Sequence, residues 1–415
     1  MRLVSRACGR DDRGELPMER QSVRVWFVGA GRLRLRAGLM AILREHGFEC
    51  AAVGPEPCDV LPRHGFMYHE YPLRRSASPL ADRRARRRLV ELFREYRPHI
   101  VHAVNTKPSL LVPVAAREAG VPIVVRTITG LGAVFSAGPP VGWALRSAYR
   151  VLFRRTARAT AWTVFQNPDD REYFLRHGMA AEARSSVILS SGIDVEAFRA
   201  RANGAAAVRR IRESWGLQGR FVVLMIARLL RSKGVVDFME AARIVRRKKP
   251  DAAFVLVGNP VTEGPDAVPV QHVRCCPDVL WVGPRDDIPD VLAACDVFVL
   301  PSYFREGVPR VLLEAAAMER PIVTTDSPGC REVVVDGRNG LLVPPRAPQR
   351  LAEAILRLHG DPARRSMGRF GSELVRRKFH LRTVAAQYMT LYCGLLRDAG
   401  LAVPEPLRER RRPAA

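Results

Sequence analysis

The segment Pro301-Ser-Tyr-Phe-Arg-Glu-Gly-Val-Pro-Arg-Val-Leu-Leu-Glu314 packs two carboxylates, a glycine and a proline between an apolar run and a helical pattern. Pro309 suits the first helical position, where the missing N–H costs nothing, and Gly307 and Val308 offer main-chain amides at the positive end of the helix dipole. Such a turn can seat an anion. Glu306 in the loop and Glu314 within the helix reach one cleft at different depths, and each carboxylate accepts hydrogen bonds from hydroxyls. A second charged cluster, Arg228 and Lys233, follows the apolar run 221–226 in a short loop ending at Gly234. Residues after a strand point from the carboxyl edge of a parallel sheet, where open α/β sheets bind ligands. Together these types suit a hydroxyl-rich ligand that also carries an anionic group. By itself each feature has an ordinary reading: solvated loop cations, a helix-capping Glu306, and a surface ion pair at Glu314.

The elements that position these residues repeat along the chain. A strand over 23–28, a glycine turn, a helix over 37–46 and a strand over 50–53 form a βαβ opening. Strands at 100–104 and 123–125, with a helix over 110–119 between them, continue a parallel, doubly wound sheet, closed by strands at 162–165 and 186–189. After a polar segment over 198–220, a second series begins at 221–226, with a helix to 247 and strands at 254–257, 280–282, 297–300 and 322–324. The fold class is therefore α/β, with two Rossmann-like doubly wound domains facing across a cleft. The expected boundaries are a flexible leader or upstream start over 1–21, a first domain over 22–197, a second over 198–376, and a C-terminal helix with a basic tail over 377–415.

Further motifs accompany the two clusters: Phe165-Gln-Asn-Pro-Asp-Asp170, Ser191-Gly-Ile-Asp194, Ile226-Ala-Arg-Leu-Leu-Arg-Ser-Lys-Gly234, Pro328-Gly-Cys-Arg-Glu332 and Asp336-Gly-Arg-Asn-Gly-Leu-Leu-Val343. In this order and spacing the chain resembles the retaining glycosyltransferases of family four, which have the GT-B fold. The resemblance implies that Arg228 and Lys233 hold the donor diphosphate, that Glu306 contacts the transferred sugar and Glu314 the ribose, and that amides near Gly307 and Val308 meet the phosphates. Arg228, Lys233 and Glu306 become the catalytic candidates. Retention in this family is described as front-side attack aided by the departing phosphate, so no protein nucleophile is nominated. The final helix is implied to cross back to the first domain.

Asn105-Thr-Lys-Pro108 and Thr129-Gly-Leu-Gly132 resemble the branch acting on polyprenyl-diphosphate-linked sugars in capsule, O-antigen and N-glycan assembly. This makes Lys107, Thr129 and Gly130 acceptor-side candidates, joined by Gly29 and Gly31 after the first strand. The branch implies a UDP-linked hexose or N-acetylhexosamine as donor. Where many relatives have a histidine after the strand 123–125, this chain has Arg126. Gly29-Ala-Gly31 lacks the third glycine and the acidic ribose partner of a dinucleotide site, which argues against NAD. Asp286-Asp287 reads as a helix start rather than a metal clamp, so no cofactor or metal is expected.

The net charge is +25 and the basic residues are nearly all arginine, with five lysines in the chain. Arg83 to Arg88 and Arg146 to Arg158 have apolar companions at Leu89, Leu92 and Phe93, and at Trp143, Leu145, Leu152 and Phe153, so each can form an amphipathic helix. Peripheral attachment to an anionic membrane surface is the expected use, and solvated arginines above a core-facing stripe are the plain alternative. Aromatics do not interleave with the arginines as in RNA-binding signatures, which disfavours nucleic acid. A sugar-nucleotide epimerase on the same fold is the rival enzyme reading. No apolar run reaches the ~18 residues of a membrane span, and the charged N-terminus is unlike a signal peptide, giving a cytoplasmic expectation at the inner membrane face. Eight scattered cysteines without metal-ligand spacing read as reduced structural thiols.

Overall fold

Short runs rich in Val, Ile, Leu and Ala build the two sheets, because strands covered on both faces in a parallel sheet need apolar side chains at every position. The computed structural model describes residues 22–404 apart from 32, 75–77, 137–139 and 263, so the expected leader and the expected basic tail beyond 404 lie outside the described residues. The first sheet contains β1 (Val23–Gly29), β2 (Phe48–Gly54), β3 (Met67–Glu70), β4 (Ile100–Val104), β5 (Ile123–Ile128), β6 (Trp162–Phe165) and β7 (Ser185–Val187). Their order is β3-β2-β1-β4-β5-β6-β7. The second contains β8 (Phe221–Ile226), β9 (Ala252–Val257), β10 (Val279–Trp281), β11 (Val297–Leu300), β12 (Ile322–Thr325) and β13 (Gly340–Val343), in the order β10-β9-β8-β11-β12-β13. Every pairing is parallel. In both sheets the order reverses beside the first strand, at β1/β4 and β8/β11, which opens a crevice at the carboxyl edge.

Two strands extend the expected set. β3 is an edge strand with no fully buried residue, and β13 follows a turn at 336–339, so neither gives a long apolar run. The helix Arg364–Lys378 packs on the second core through Met367 and Val375. The chain then crosses between lobes: Ile193 N–H donates to Phe379 O (2.9 Å) and Leu381 N–H to Ile193 O (3.0 Å). Gly192 (φ +80°) makes this crossing possible, since a Cβ there would lie 2.8 Å from Leu381 Cα. The final helix, Leu381–Asp398, buries Val384, Tyr388, Tyr392 and Leu396 in the first lobe's core. His102 on β4 links to it through Tyr392 Oη (2.5 Å) and to Thr127 Oγ1 (2.6 Å), and burial holds its imidazole well below the usual range, a neutral core histidine.

The two arginine-rich helices behave differently. In Pro79–Tyr96, Leu89, Leu92 and Phe93 are all core residues, so these apolar companions form a core-facing stripe. In Val141–Ala157, Phe153 is also inward, but Trp143 (66% exposed), Leu145, Val151 and Leu152 face outward beside Arg154 and Arg155. Among the described residues no helix is long and apolar enough to cross a membrane. The described cysteines are unpaired, and burial pushes the thiols of Cys50 and Cys295 up to about 12.

Candidate active site

After β8 the chain passes through Arg228, partly buried, and a single 3₁₀ turn, Arg231–Lys233, that stops at Gly234 (φ +79°). A Cβ on Gly234 would stand 2.2 Å from Pro301 O, so this turn presses on the end of β11 as only glycine allows. Ser232 fixes the contact: its carbonyl accepts N–H bonds from Tyr303 (2.9 Å) and Phe304 (3.0 Å), while its own N–H donates to Asp266 (2.9 Å). The result brings Lys233 Nζ onto the Glu306 carboxylate, with side chains 12% and 23% exposed. Ser302 Oγ donates to the same Glu306 oxygen (3.4 Å), and Lys233 Nζ lies 5.5 Å from the Phe304 ring centre. An ammonium has three donors, so Lys233 can hold Glu306 and still offer hydrogen bonds to a phosphate.

Pro309 caps the helix Arg310–Ala317 rather than occupying its first turn, and its ψ of 114° is extended. Glu314 accepts from Arg310 Nε (3.0 Å), and Arg310 Nη1 donates to Gly192 O (3.1 Å). Arg310 is a site residue absent from the sequence expectation, although its i,i+4 spacing to Glu314 was readable. Gly307 serves differently from expectation. Its N–H donates to Thr129 O (2.8 Å), and the space a side chain would need is taken by Gln166 Oε1, 2.1 Å from an ideal Cβ. Gly329 backs onto Gly307 O, and Val308 is buried against the second core. Glycine here lets lobe meet lobe.

On the first lobe, Asn105 (φ +77°) ties three loops: its Nδ2 donates to Thr129 Oγ1 (2.9 Å) and its Oδ1 accepts from Ala30 N–H (3.4 Å). Gly29, Gly31, Thr129 and Gly130 therefore gather at the carboxyl edges of β1, β4 and β5. Gly31 has φ +134°, and Gly29 turns tightly over Leu33. Lys107 caps the helix Pro108–Ala119, donating to Arg74 O (2.7 Å) and pairing with Asp82 (2.6 Å). Gly130 (φ +107°) faces the other lobe: a Cβ there would be 2.5 Å from Arg305 O and Glu306 C. Gly132 N–H donates to Arg305 O (2.9 Å), Asn167 Nδ2 to Glu306 O (3.2 Å), Arg305 pairs with Asp170 (2.9 Å), and Arg331 with Asp169 (3.1 Å).

Arg126, which replaces the expected histidine, is fully buried, donating to Thr163 Oγ1 (3.0 Å), Thr156 Oγ1 (3.1 Å) and Met179 O (2.5 Å). Burial without a carboxylate lowers its guanidinium to about 10, and its work is to join β5, β6 and the Val141–Ala157 helix. Asp287 directly precedes the helix Ile288–Ala293 and its carboxylate pairs with Arg285 (2.6 Å) rather than with a main-chain amide of the first turn. Asp194, Glu196 and His380 lie close enough to share a cation. Asp194 caps a helix and Glu196 pairs with Arg376 (2.8 Å), so both are structurally engaged.

Comparison with known proteins identifies this arrangement. Residues 34–189 match the family described as glycosyl transferase 4-like domain, and residues 220–361 match glycosyl transferases group 1. A GDP-mannose-dependent alpha-(1-6)-phosphatidylinositol monomannoside mannosyltransferase of Mycobacterium tuberculosis is 30% identical over 74% of this chain and 78% of its own length. A UDP-Gal:alpha-D-GlcNAc-diphosphoundecaprenol alpha-1,3-galactosyltransferase of Escherichia coli is 29% identical over 69% of this chain and 73% of its own. The crystal structure of Anabaena HepE in complex with UDP superposes with a TM-score of 0.73 at 19% identity, over 89% of this chain and all of that one, which establishes the shared fold. With two parallel α/β lobes and both family domains, this chain is a GT-B glycosyltransferase of group 1.

Proposed function

We propose that this glycosyltransferase moves a hexose or N-acetylhexosamine, with retention, from a UDP-linked donor to a polyprenyl-diphosphate-linked saccharide at the inner membrane face. The observation that carries the donor half is the Lys233–Glu306 contact beneath a junction where both lobes meet. A charge-paired glutamate turned to sugar hydroxyls, beside a cation able to meet the leaving diphosphate, is what nucleotide-sugar cleavage needs. The bond from the anomeric carbon to the phosphate oxygen breaks as the acceptor hydroxyl bonds to that carbon. The hydroxyl's proton passes to the departing phosphate. Arg228 and Lys233 balance the negative charge that grows there, Glu306 orients the sugar, and Glu314, steadied by Arg310, holds the ribose. With two cations in that role a divalent metal is not required, and transfer should persist in chelator.

The lipid-linked acceptor is supported by the Escherichia coli relative, whose name specifies a diphosphoundecaprenol-linked substrate. The Val141–Ala157 helix supplies a surface suited to such a substrate. Its five arginines through Arg158 have no acidic neighbour in the helix, and Trp143, Leu145, Val151 and Leu152 lie outward among them. Each arginine near an anionic surface contributes about 1 kcal/mol, and the aromatic and aliphatic side chains add interfacial burial. Trp143→Glu with Leu152→Glu should abolish flotation on anionic liposomes while leaving transfer to a water-soluble acceptor analogue intact; flotation unaffected by these changes, by lipid charge and by salt excludes the membrane face.

The relatives' names specify GDP and UDP donors, so the base is settled by measurement. A panel of nucleotide sugars should raise the melting temperature for a UDP-linked sugar above all others. With that sugar, UDP release that requires acceptor supports transfer, whereas interconversion of the donor without acceptor supports the epimerase alternative. The anomeric configuration of the product, read by NMR, tests retention.

A further inference from the structure

The peptide that carries Glu306 is held from the opposite lobe by a small polar relay. Asn167 Nδ2 donates to Glu306 O (3.2 Å) and to Asp170 Oδ2 (3.0 Å), and Asn167 Oδ1 accepts the Asp170 N–H (2.8 Å). Asp170 Oδ1 accepts from Arg305 Nη2 (2.9 Å), the residue just before Glu306. Its side chain is wholly buried, and the Arg305 guanidinium lies 5.4 Å from the Phe135 ring and 5.8 Å from that of Tyr173. We propose that Asp170 is a positioning residue for glycosyl transfer, fixing the direction of Glu306 across the lobe boundary through Asn167 and Arg305. The proposal rests on the reading of Glu306 as the partner of the transferred sugar.

A carboxylate is an expensive choice for a purely structural tie at this position. Burial pushes Asp170 up to about 6, against the lowering effects of Arg305 and the Asn167 bond. The other groups facing it are Asp169, itself paired with Arg331, and the buried Tyr149 phenol, which burial raises. Because its value is raised on folding, Asp170 favours the folded chain at acid pH, and that contribution is lost as pH rises through about 6. Positioning runs the opposite way. Only the ionised form gives Arg305 a charged acceptor, so loop alignment weakens as pH falls through the same window. Stability and alignment thus part company.

The test compares wild type, Asp170→Asn and Arg305→Gln, with kcat measured from pH 5 to pH 8 beside melting temperature and calorimetric binding of UDP. Wild type should show an acid limb in kcat near pH 6 that Asp170→Asn flattens. At pH 7.5 the substitution should lower kcat about tenfold, the loss of one charge-assisted bond, with UDP affinity unchanged. Arg305→Gln cuts the same bond from a partly exposed partner, and the double variant should lose no more than the worse single one. The proposal is overturned if Asp170→Asn keeps the wild-type limb, if UDP affinity falls in step with kcat, or if the two losses multiply. A Glu306→Ala variant transferring at the wild-type rate removes the underlying reading of Glu306; a defective Glu306→Ala with an unaltered Asp170→Asn profile removes the relay alone.

Discussion

On the second lobe, the candidate site consists of charged side chains that touch one another, Lys233 on Glu306 and Arg310 on Glu314, whereas the first lobe brings main chain and small residues, Gly29, Gly31, Thr129 and Gly130, organised by Asn105. The first lobe's expected cation, Lys107, is tied instead to Asp82 and Arg74 O. This division matches what the proposed function asks of each half. A leaving diphosphate demands fixed positive charge at one place, while a large acceptor needs room and a contour set by backbone. In that proposal the glycines of the first lobe make the contour, and Gly130 and Gly132 set how near the loop carrying Arg305 and Glu306 comes.

Substitutions can break this contrast in order of expected effect. Lys233→Ala removes charge from the departing diphosphate and should lower kcat/KM by on the order of 10³, measured by steady-state transfer from the preferred donor. Gly130→Ala puts a methyl into the 305–306 main chain at a positive φ; it should cut kcat about a hundredfold and leave UDP affinity intact, separating contour from charge. Glu314→Ala should raise the donor KM about tenfold with a smaller change in kcat, as loss of binding shared by ground and transition states requires. Smallest of all, Lys107→Ala should change transfer less than about threefold and lower stability by about 1 kcal/mol, read by denaturant melts. A large catalytic loss at Lys107 would erase the distinction between the lobes.

Most of the fold was legible because buried parallel strands announce themselves as unbroken apolar runs; β3 escaped since it is a half-exposed edge, and β13 since it opens on Gly340 directly after the polar turn at 336–339. The second lobe's charged loops were legible through local motifs, whose residues lie near one another in sequence. Asn167, Asp170 and Arg305 were not assigned a role, since their partnership spans more than 130 positions and depends on how the lobes meet. Phe153 and Trp143 share one arginine-rich helix yet face opposite ways, and composition gave no means of telling them apart.

Calorimetric titration of UDP and of the preferred UDP-sugar against Glu306→Ala and Glu314→Ala tests the donor site most directly. If Glu306 grips the carbohydrate and Glu314 the ribose, Glu306→Ala weakens the UDP-sugar about tenfold and leaves UDP unchanged, while Glu314→Ala weakens both alike. Equal losses for UDP and UDP-sugar in Glu306→Ala, or none in either variant, would contradict the assignment.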